Sequence, residues 1–331
     1  MKAVFAAGSD NVGDELNEWI WPALVGDIQR EGVALLGIGT LLNQDFCRRL
    51  ADAERILVLG SGAGYGAPPA TDGRWQFHAV RGLRTARALG LQAECAVADS
   101  AYLLASLDWR DGHELHGDVV VVPHHRSLRY LDWQRVCNQA GVRLVSPLLP
   151  AAAFMQEIAG ARLVLSEAMH GAILADIARV PWQGFAFGGQ FNQDKWLDWA
   201  EMFALDLRIR RLPGFYNPAR FSEDRPLRYH LGKVLKARLS RVGLGREKWQ
   251  RMTLPAFQVA RAEDGLVDQL VELASSPGML SSEAQLRMRV DQLYQCVDEL
   301  RAALQAPSGR RLQGDGLAFL AKRRGAGELE R

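Results

Sequence analysis

The stretch Leu163-Val164-Leu165-Ser166-Glu167-Ala168-Met169-His170-Gly171-Ala172-Ile173-Leu174-Ala175-Asp176-Ile177-Ala178-Arg179-Val180-Pro181-Trp182 decides how the chain folds. A short apolar run ends at Ser166-Glu167, and an apolar-periodic helix opens at Met169-His170-Gly171 and runs to Arg179. Another apolar run, Trp182–Phe187, follows. His170 therefore sits where a strand hands over to a helix. In open α/β sheets that junction lines the ligand crevice, and the helix N-terminus offers backbone N–H groups to an anion. An imidazole there can meet both a phosphate and a proton-transfer step; a helix-capping histidine is the plain alternative.

The same alternation extends outward from this unit. Strands are expected at Ala3–Ala7, Val33–Gly37, Ile56–Gly60, Ala93–Ala98, Val119–Pro123, Val142–Ser146, Leu163–Ser166 and Trp182–Phe187. Helices are expected at Phe77–Leu89, Leu131–Ala140, Pro150–Ala159 and Met169–Arg179. Strand–helix alternation at this spacing predicts parallel sheets with helices on both faces. One eight-stranded sheet is compatible with the pattern. The polar, aperiodic stretch Asp108–Glu114 instead divides it into two Rossmann-like halves, and that is the reading adopted.

Composition narrows the class. A chain of 331 residues can hold two domains and a sizeable core, and 48% hydrophobic with 24% charged residues is ordinary for a globular protein. A net charge of +2 selects no partner. The four cysteines lie far apart without a Cys-x-x-Cys pair, which argues against a zinc site or disulfide scaffold and suits a reducing cytoplasm. The opening apolar run is too short for a signal-peptide core, and no run approaches the roughly 18 residues of a membrane span. A cytoplasmic location is expected.

Several other residues carry candidate chemistry. His124-His125-Arg126 follows the Val119–Val122 run and should face the crevice, with one of two adjacent loop histidines pointing inward. Arg126 is suited to grip phosphate bidentately. The glycine run Gly60–Gly66 is followed by Ala67-Pro68-Pro69 rather than a helix, so it fails as a dinucleotide loop and reads as a close-approach loop at the cleft. His113-Glu114-Leu115-His116 lacks the spacing of a His-Glu-x-x-His zinc site, and nothing suggests nucleic-acid readout.

Five segments in order resemble the polysaccharide pyruvyltransferase family, in its branch of succinoglycan-type exopolysaccharide ketal pyruvyltransferases. They are Asn11–Asn17, Val80–Thr85, Ala98–Ala101, Val122–His125 and Ser166–Gly171. The resemblance spans residues 3–205. It implies a GT-B-like pair of Rossmann-like domains, here 1–115 and 116–212; composition, not the resemblance, marks off a basic helical extension 213–306 and a disordered tail 307–331. It implies phosphoenolpyruvate as donor substrate, no further cofactor or metal, and a lipid-linked oligosaccharide acceptor. By the same resemblance His170 and Asp14 are catalytic, and Asn11 and Glu167 bind the acceptor. Arg81, His124, His125, Arg126, Ser166, Gly171 and Lys195 then bind the donor or its phosphate. The family carries an arginine where this chain has Ala168, so another cation must take its place. A GT-B-type glycosyltransferase using a nucleotide sugar, or a non-catalytic sugar-binding scaffold of export, are the alternatives.

Beyond Pro213 the composition changes. Residues 225–251 hold nine Lys or Arg against the single acid Glu247, with Leu231, Val234, Leu235, Leu239 and Val242 at helical spacing. This reads as a basic amphipathic helix, which either docks on an anionic membrane surface at the inner face or packs its apolar stripe on the protein. Helices are also expected at 255–275 and 283–304.

Overall fold

The structure is a computed structural model, and it describes residues 2–3, 12–26, 31–187, 191–217, 232, 235, 239, 252–253, 256–306, 309 and 311–321. Two parallel sheets organise it. Lys2–Ala3 (β1), Val33–Leu36 (β2), Arg55–Ser61 (β3) and Trp75–Val80 (β4) pair in simple sequence order. Val119–Val122 (β5), Arg143–Leu144 (β6), Leu163–Ser166 (β7), Trp182–Phe187 (β8) and Ile209–Leu212 (β9) pair in the order β6-β5-β7-β8-β9. The order of the second sheet reverses at β5. The helices leaving β5 and β7 therefore diverge to opposite faces and open a crevice at the strands' carboxyl ends.

β5, β7 and β8 are buried along their whole lengths, as expected for parallel strands covered on both sides. Alternation then splits them between two clusters. Val119, Val121, Leu163, Leu165, Phe185 and Phe187 face Trp133–Gln139 (α4) and the helix Ala256–Ala274 (α8). Val120, Val122 and Val164 face the other way, into a cluster that runs without a break to Leu57, Leu59 and Leu16 of the first half. That cluster includes Val12–Val25 (α1), Ala151–Gly160 (α5) and Met169–Ile177 (α6), whose nine residues are all buried. The two sheets thus share one apolar core.

The chain also returns to its beginning. Glu283–Leu304 (α9) lies against β3, β4 and the 3₁₀ turn Ser100–Ser106. Arg55 donates to the carbonyl of Ala303 at 3.3 Å, and the Tyr294 hydroxyl donates to that of Leu103 at 3.0 Å.

Several sequence expectations need correction. Residues 77–80 are strand, not helix; after the short helix Gln44–Cys47 (α2), the next begins only at Leu83–Ala88 (α3). Trp75-Gln76-Phe77-His78 alternates apolar and polar because β4 lies at the sheet's edge, and helical spacing mimics that pattern over so short a run. Ala93–Ala98 forms a 3₁₀ turn and a single bridge, Val80 to Ala96, instead of a strand. The linker expected at Asp108–Glu114 is fastened to the end of the chain: Asp108 exchanges backbone bonds with Gly314 and Gly316, and Trp109 is buried. A Cβ on Gly316 would stand 2.5 Å from the Trp109 ring. Within the expected disordered tail, Gly316–Ala321 is helical (α10), with Leu312 and Leu320 buried. Of the basic segment 225–251, all but Gly232, Leu235 and Leu239 lie outside the described residues.

Arg81, expected to bind the donor anion, is instead a clamp behind the crevice. Its side chain is fully buried, and it donates to Asp198 Oδ2 at 3.0 Å, to Thr40 Oγ1 at 2.9 Å and to the Ala63 carbonyl at 2.7 Å. Asp198 belongs to Gln193–Ala200 (α7) and also accepts from the Thr85 N–H at 2.9 Å and hydroxyl at 2.7 Å. Two close approaches make glycine obligatory around it. A Cβ on Gly62 would stand 2.1 Å from Arg81 Cζ, and one on Gly82 would stand 1.9 Å from the Asp198 carbonyl oxygen. Removing one partner of a buried pair strands the other's charge, at a cost of about 3–5 kcal/mol. Arg81→Met is therefore expected to lose that much unfolding free energy in urea titration, whereas a donor-binding role alone predicts unchanged stability.

Candidate functional site

At the carboxyl ends of β5 and β7, a cavity of about 300 Å³ opens where the order of the second sheet reverses. Asp14, Thr40, Tyr65, His124, His125, Arg126, Ser127, Glu167, His170 and Lys195 are among its lining. The sheet topology brings six of the sequence-predicted site residues here from three distant segments, and Lys195 from a fourth.

His170 is the second residue of α6, and its ring is buried. On one side the helix α1 comes so close that a Cβ on Gly13 would stand 2.0 Å from Nδ1. On the other, Nε2 lies 3.6 Å from Oδ2 of Asp99, whose side chain is fully buried. Among the described residues neither of those two atoms has a hydrogen-bond partner. Asp99 is fixed in place because its Oδ1 accepts from the Ala101 N–H at 3.0 Å. The carboxylate is thus placed to receive an Nε2–H and to hold the tautomer and tilt of the imidazole. Sequence reading saw the segment Ala98–Ala101 but assigned Asp99 no role; the signal was there in the motif, without its partner.

Glu167, expected to bind acceptor, has its carboxylate turned to the β5 loop. It accepts from the His124 N–H at 2.8 Å and from the Ser127 hydroxyl at 2.9 Å. That ties the loop into a turn in which both histidines line the cavity, with ring centroids 4.1 Å apart. The expectation that only one histidine points inward is therefore wrong. The turn, closed by the Ser127 N–H on the His124 carbonyl, overrides the opposed facing of neighbouring residues in an extended loop. His124 Nδ1 accepts from the Arg126 N–H at 3.2 Å, which leaves the proton of the neutral ring on Nε2.

Arg126 stands exposed at the rim. Lys195 reaches the cavity from α7, where Asn192 caps the helix. Ser166 and Gly171, expected at the donor, lie behind the wall. Ser166 is fully buried and its hydroxyl donates to the Ala168 carbonyl at 2.6 Å, while a Cβ on Gly171 would stand 2.4 Å from Ser166 Oγ. They shape the turn that presents His170. Asn11 lies outside the described residues. Asp14, in the first turn of α1, lines the cavity and is nearly buried.

A larger groove of about 600 Å³ lies at the opposite end of α6. In it Arg179 pairs with Glu283 at 2.8 Å and Arg311 with Asp291 at 2.5 Å, and among the described residues no predicted site residue lines it. Among the described residues no group of three or more His, Cys, Asp or Glu side chains converges as metal ligands would.

Over 207 residues the chain is 35% identical to the succinoglycan biosynthesis protein ExoV of Rhizobium meliloti (strain 1021). The alignment covers 61% of this chain and 65% of ExoV, so the chain spans just under two thirds of that relative's length. ExoV is a protein of succinoglycan biosynthesis by name, in agreement with the succinoglycan-type resemblance carried by the five motifs. No family model matches the chain. No solved structure matches it either.

Burial pushes the Glu167 carboxyl up to about 7, against the bonds from the His124 N–H and the Ser127 hydroxyl, which act to lower it. A carboxyl raised from its ordinary 4.5 contributes its full stability below that value and loses it as the pH rises through about 7. Each pH unit by which a carboxyl is raised corresponds to about 1.4 kcal/mol, so wild-type protein should lose on the order of 3 kcal/mol between pH 5 and pH 8 relative to Glu167→Gln. Urea unfolding of both proteins across that range checks it; parallel curves would return Glu167 to an ordinary solvated carboxylate.

Proposed function

We propose that this chain is a ketal pyruvyltransferase of exopolysaccharide assembly. It moves the carboxyvinyl group of phosphoenolpyruvate onto two hydroxyls of a hexose in a repeat unit. One observation carries the reading: His170, backed by Asp99, converges with Arg126, Lys195 and two loop histidines in a single cavity at the sheet's switch point. Kinship with a succinoglycan biosynthesis protein supports the polysaccharide setting. The two parallel sheets on either side suit a GT-B-like arrangement with donor and acceptor meeting between them.

The reaction places a proton on the donor's methylene carbon, adds two hydroxyls to the neighbouring carbon and releases phosphate. His170 delivers the methylene proton, with Asp99 holding the ring for that transfer. Asp14, which lines the same cavity as His170, takes the proton of the first hydroxyl and returns it to the imidazole. Arg126 and Lys195 hold the phosphate, each charge-assisted bond contributing about 1.5–3 kcal/mol. Arg126 thereby fills the place left at Ala168.

His170→Gln should fold normally yet turn over on the order of 10²- to 10⁴-fold more slowly. Thermal-shift titration separates the alternatives: phosphoenolpyruvate should stabilise the wild type. Stabilisation by nucleotide sugars alone would favour a glycosyltransferase, and by neither, a scaffold.

The enzyme's place is at the inner membrane face, reached through residues 225–251, whose cations gain roughly 1 kcal/mol each close to anionic headgroups. Among the described residues no helix is long and apolar enough to cross a membrane. Sedimentation with anionic but not zwitterionic vesicles, weakened by salt and by charge reversal at Lys233, Lys236, Arg238 and Arg241, is the expected result. Protein left in the supernatant with anionic vesicles at low salt would remove this route.

A further inference from the structure

Between β3 and β4 the chain crosses the mouth of the cavity in a loop whose glycines at 64 and 66 both take positive φ, 151° and 76°. This backbone thrusts Tyr65 out, 49% exposed, at the cavity's edge. The loop belongs to the first sheet but is latched to the second. The Asn192 side-chain amide donates to the Gly64 carbonyl, and Lys195 Nζ donates to the Tyr65 oxygen at 3.2 Å. The same ammonium lies 5.5 Å from the centre of the Tyr65 ring. Tyr65 thus brings to the cavity a phenol whose oxygen already accepts a bond from a cation. A phenol so placed is poised to lose its proton and to take it back.

The transfer needs such a group. Two acceptor hydroxyls lose two protons, the methylene carbon gains one, and the other must leave with the phosphate. His170 and Asp14 account for the first. Lys195, as a cation, has no lone pair for the second, the Nδ1 lone pair of His124 is taken by the Arg126 N–H, and Glu167 is turned to the β5 loop; of the described groups held beside Lys195, Tyr65 is the one with a free proton to exchange.

We propose that Tyr65 is the second proton carrier of the reaction, activated by Lys195. This rests on the pyruvyl-transfer reading. As the bond from the second hydroxyl oxygen to the donor's central carbon forms, the Tyr65 phenolate takes that hydroxyl's proton. The bond from the same carbon to the phosphate oxygen breaks, and the phenol gives the proton to that departing oxygen, which regenerates the phenolate. Lys195 touches both partners of this hand-over, the phenol oxygen and the phosphate. The electrostatics agree: burial acts to raise the Tyr65 pKa, but the charge and hydrogen bond of Lys195, with Arg126 and Arg81 behind them, outweigh it and hold it below the ordinary value.

Two measurements on the full chain test this. The first follows phenolate absorbance at 295 nm against pH in wild type, Tyr65→Phe and Lys195→Met. The wild-type minus Tyr65→Phe difference should show one phenol ionising below the ordinary value of about 10. In Lys195→Met that phenol should move up. The second follows phosphate release from phosphoenolpyruvate with methyl glucoside, galactoside and mannoside. Tyr65→Phe should lower kcat on the order of 10²-fold or more, leave the donor KM within about threefold, and lose the rise of kcat with pH through the phenol's ionisation. A kcat within about threefold of wild type, a raised KM alone, or a phenol that titrates in the ordinary range would each overturn the proposal. Wild-type protein that releases no phosphate with any of the three acceptors would overturn the transfer reading, and this role of Tyr65 with it. An active wild type with an ordinary phenol overturns the Tyr65 role alone.

Discussion

A single guanidinium, buried between the sheets and shared by four segments, sets the geometry of everything around the cavity. Arg81 leaves the end of β4 and binds Thr40 from beyond β2, Ala63 from beyond β3 and Asp198 from α7. Taking a guanidinium and a carboxylate out of water is costly, and the arrangement holds because Thr85 completes the acceptor side with two further bonds. Asp198 follows Lys195 by one helical turn, and Asn192 caps the same helix. The clamp therefore fixes the face of α7 that latches the loop carrying Tyr65. The geometry of the rim thus depends on an ion pair buried behind it.

The second constraint is topological. Because β5 neighbours both β6 and β7, the loops after β5 and β7 meet at one crevice, and residues more than 40 positions apart in sequence become neighbours. Glu167 and His170 leave β7 together and divide the work. The glutamate shapes the loop of His124 and His125, and the histidine faces the cavity between Gly13 and Asp99. An apolar core shared by both sheets leaves little room for these parts to shift independently.

Much of this was legible in the chain. The strands Leu163–Ser166 and Trp182–Phe187 and the helix Glu283–Leu304 stand where the sequence places them, because apolar runs buried on both faces and sustained helical spacing leave few competing states. Trp75–Val80 was missed because an edge strand is buried on one face only, and its alternation is too short to separate from a helix. Ile209–Leu212 was missed for a related reason: its two arginines are exposed at the other sheet's edge. At the site, His170, Asp14, His124, His125, Arg126 and Lys195 were legible from their places after strands. The fate of Arg81 was not, since its carboxylate lies on a helix 117 residues later and local pattern carries no such information. Asp99 and Tyr65 escaped for the same reason. Each takes its meaning from a partner in the other half of the chain.

The return of α9 to the first sheet has a consequence for how the protein is made. The outer side of β3 and β4 cannot be covered until residue 304 has been synthesised. At ~5–20 residues per second the ribosome takes roughly ten to forty seconds to travel from the end of β4 to that point. During that interval the emerging first sheet has neither its covering helix nor, until α7 arrives, the carboxylate for Arg81. The nascent amino-terminal half therefore waits with apolar strands uncovered, held back by the order of its own gene.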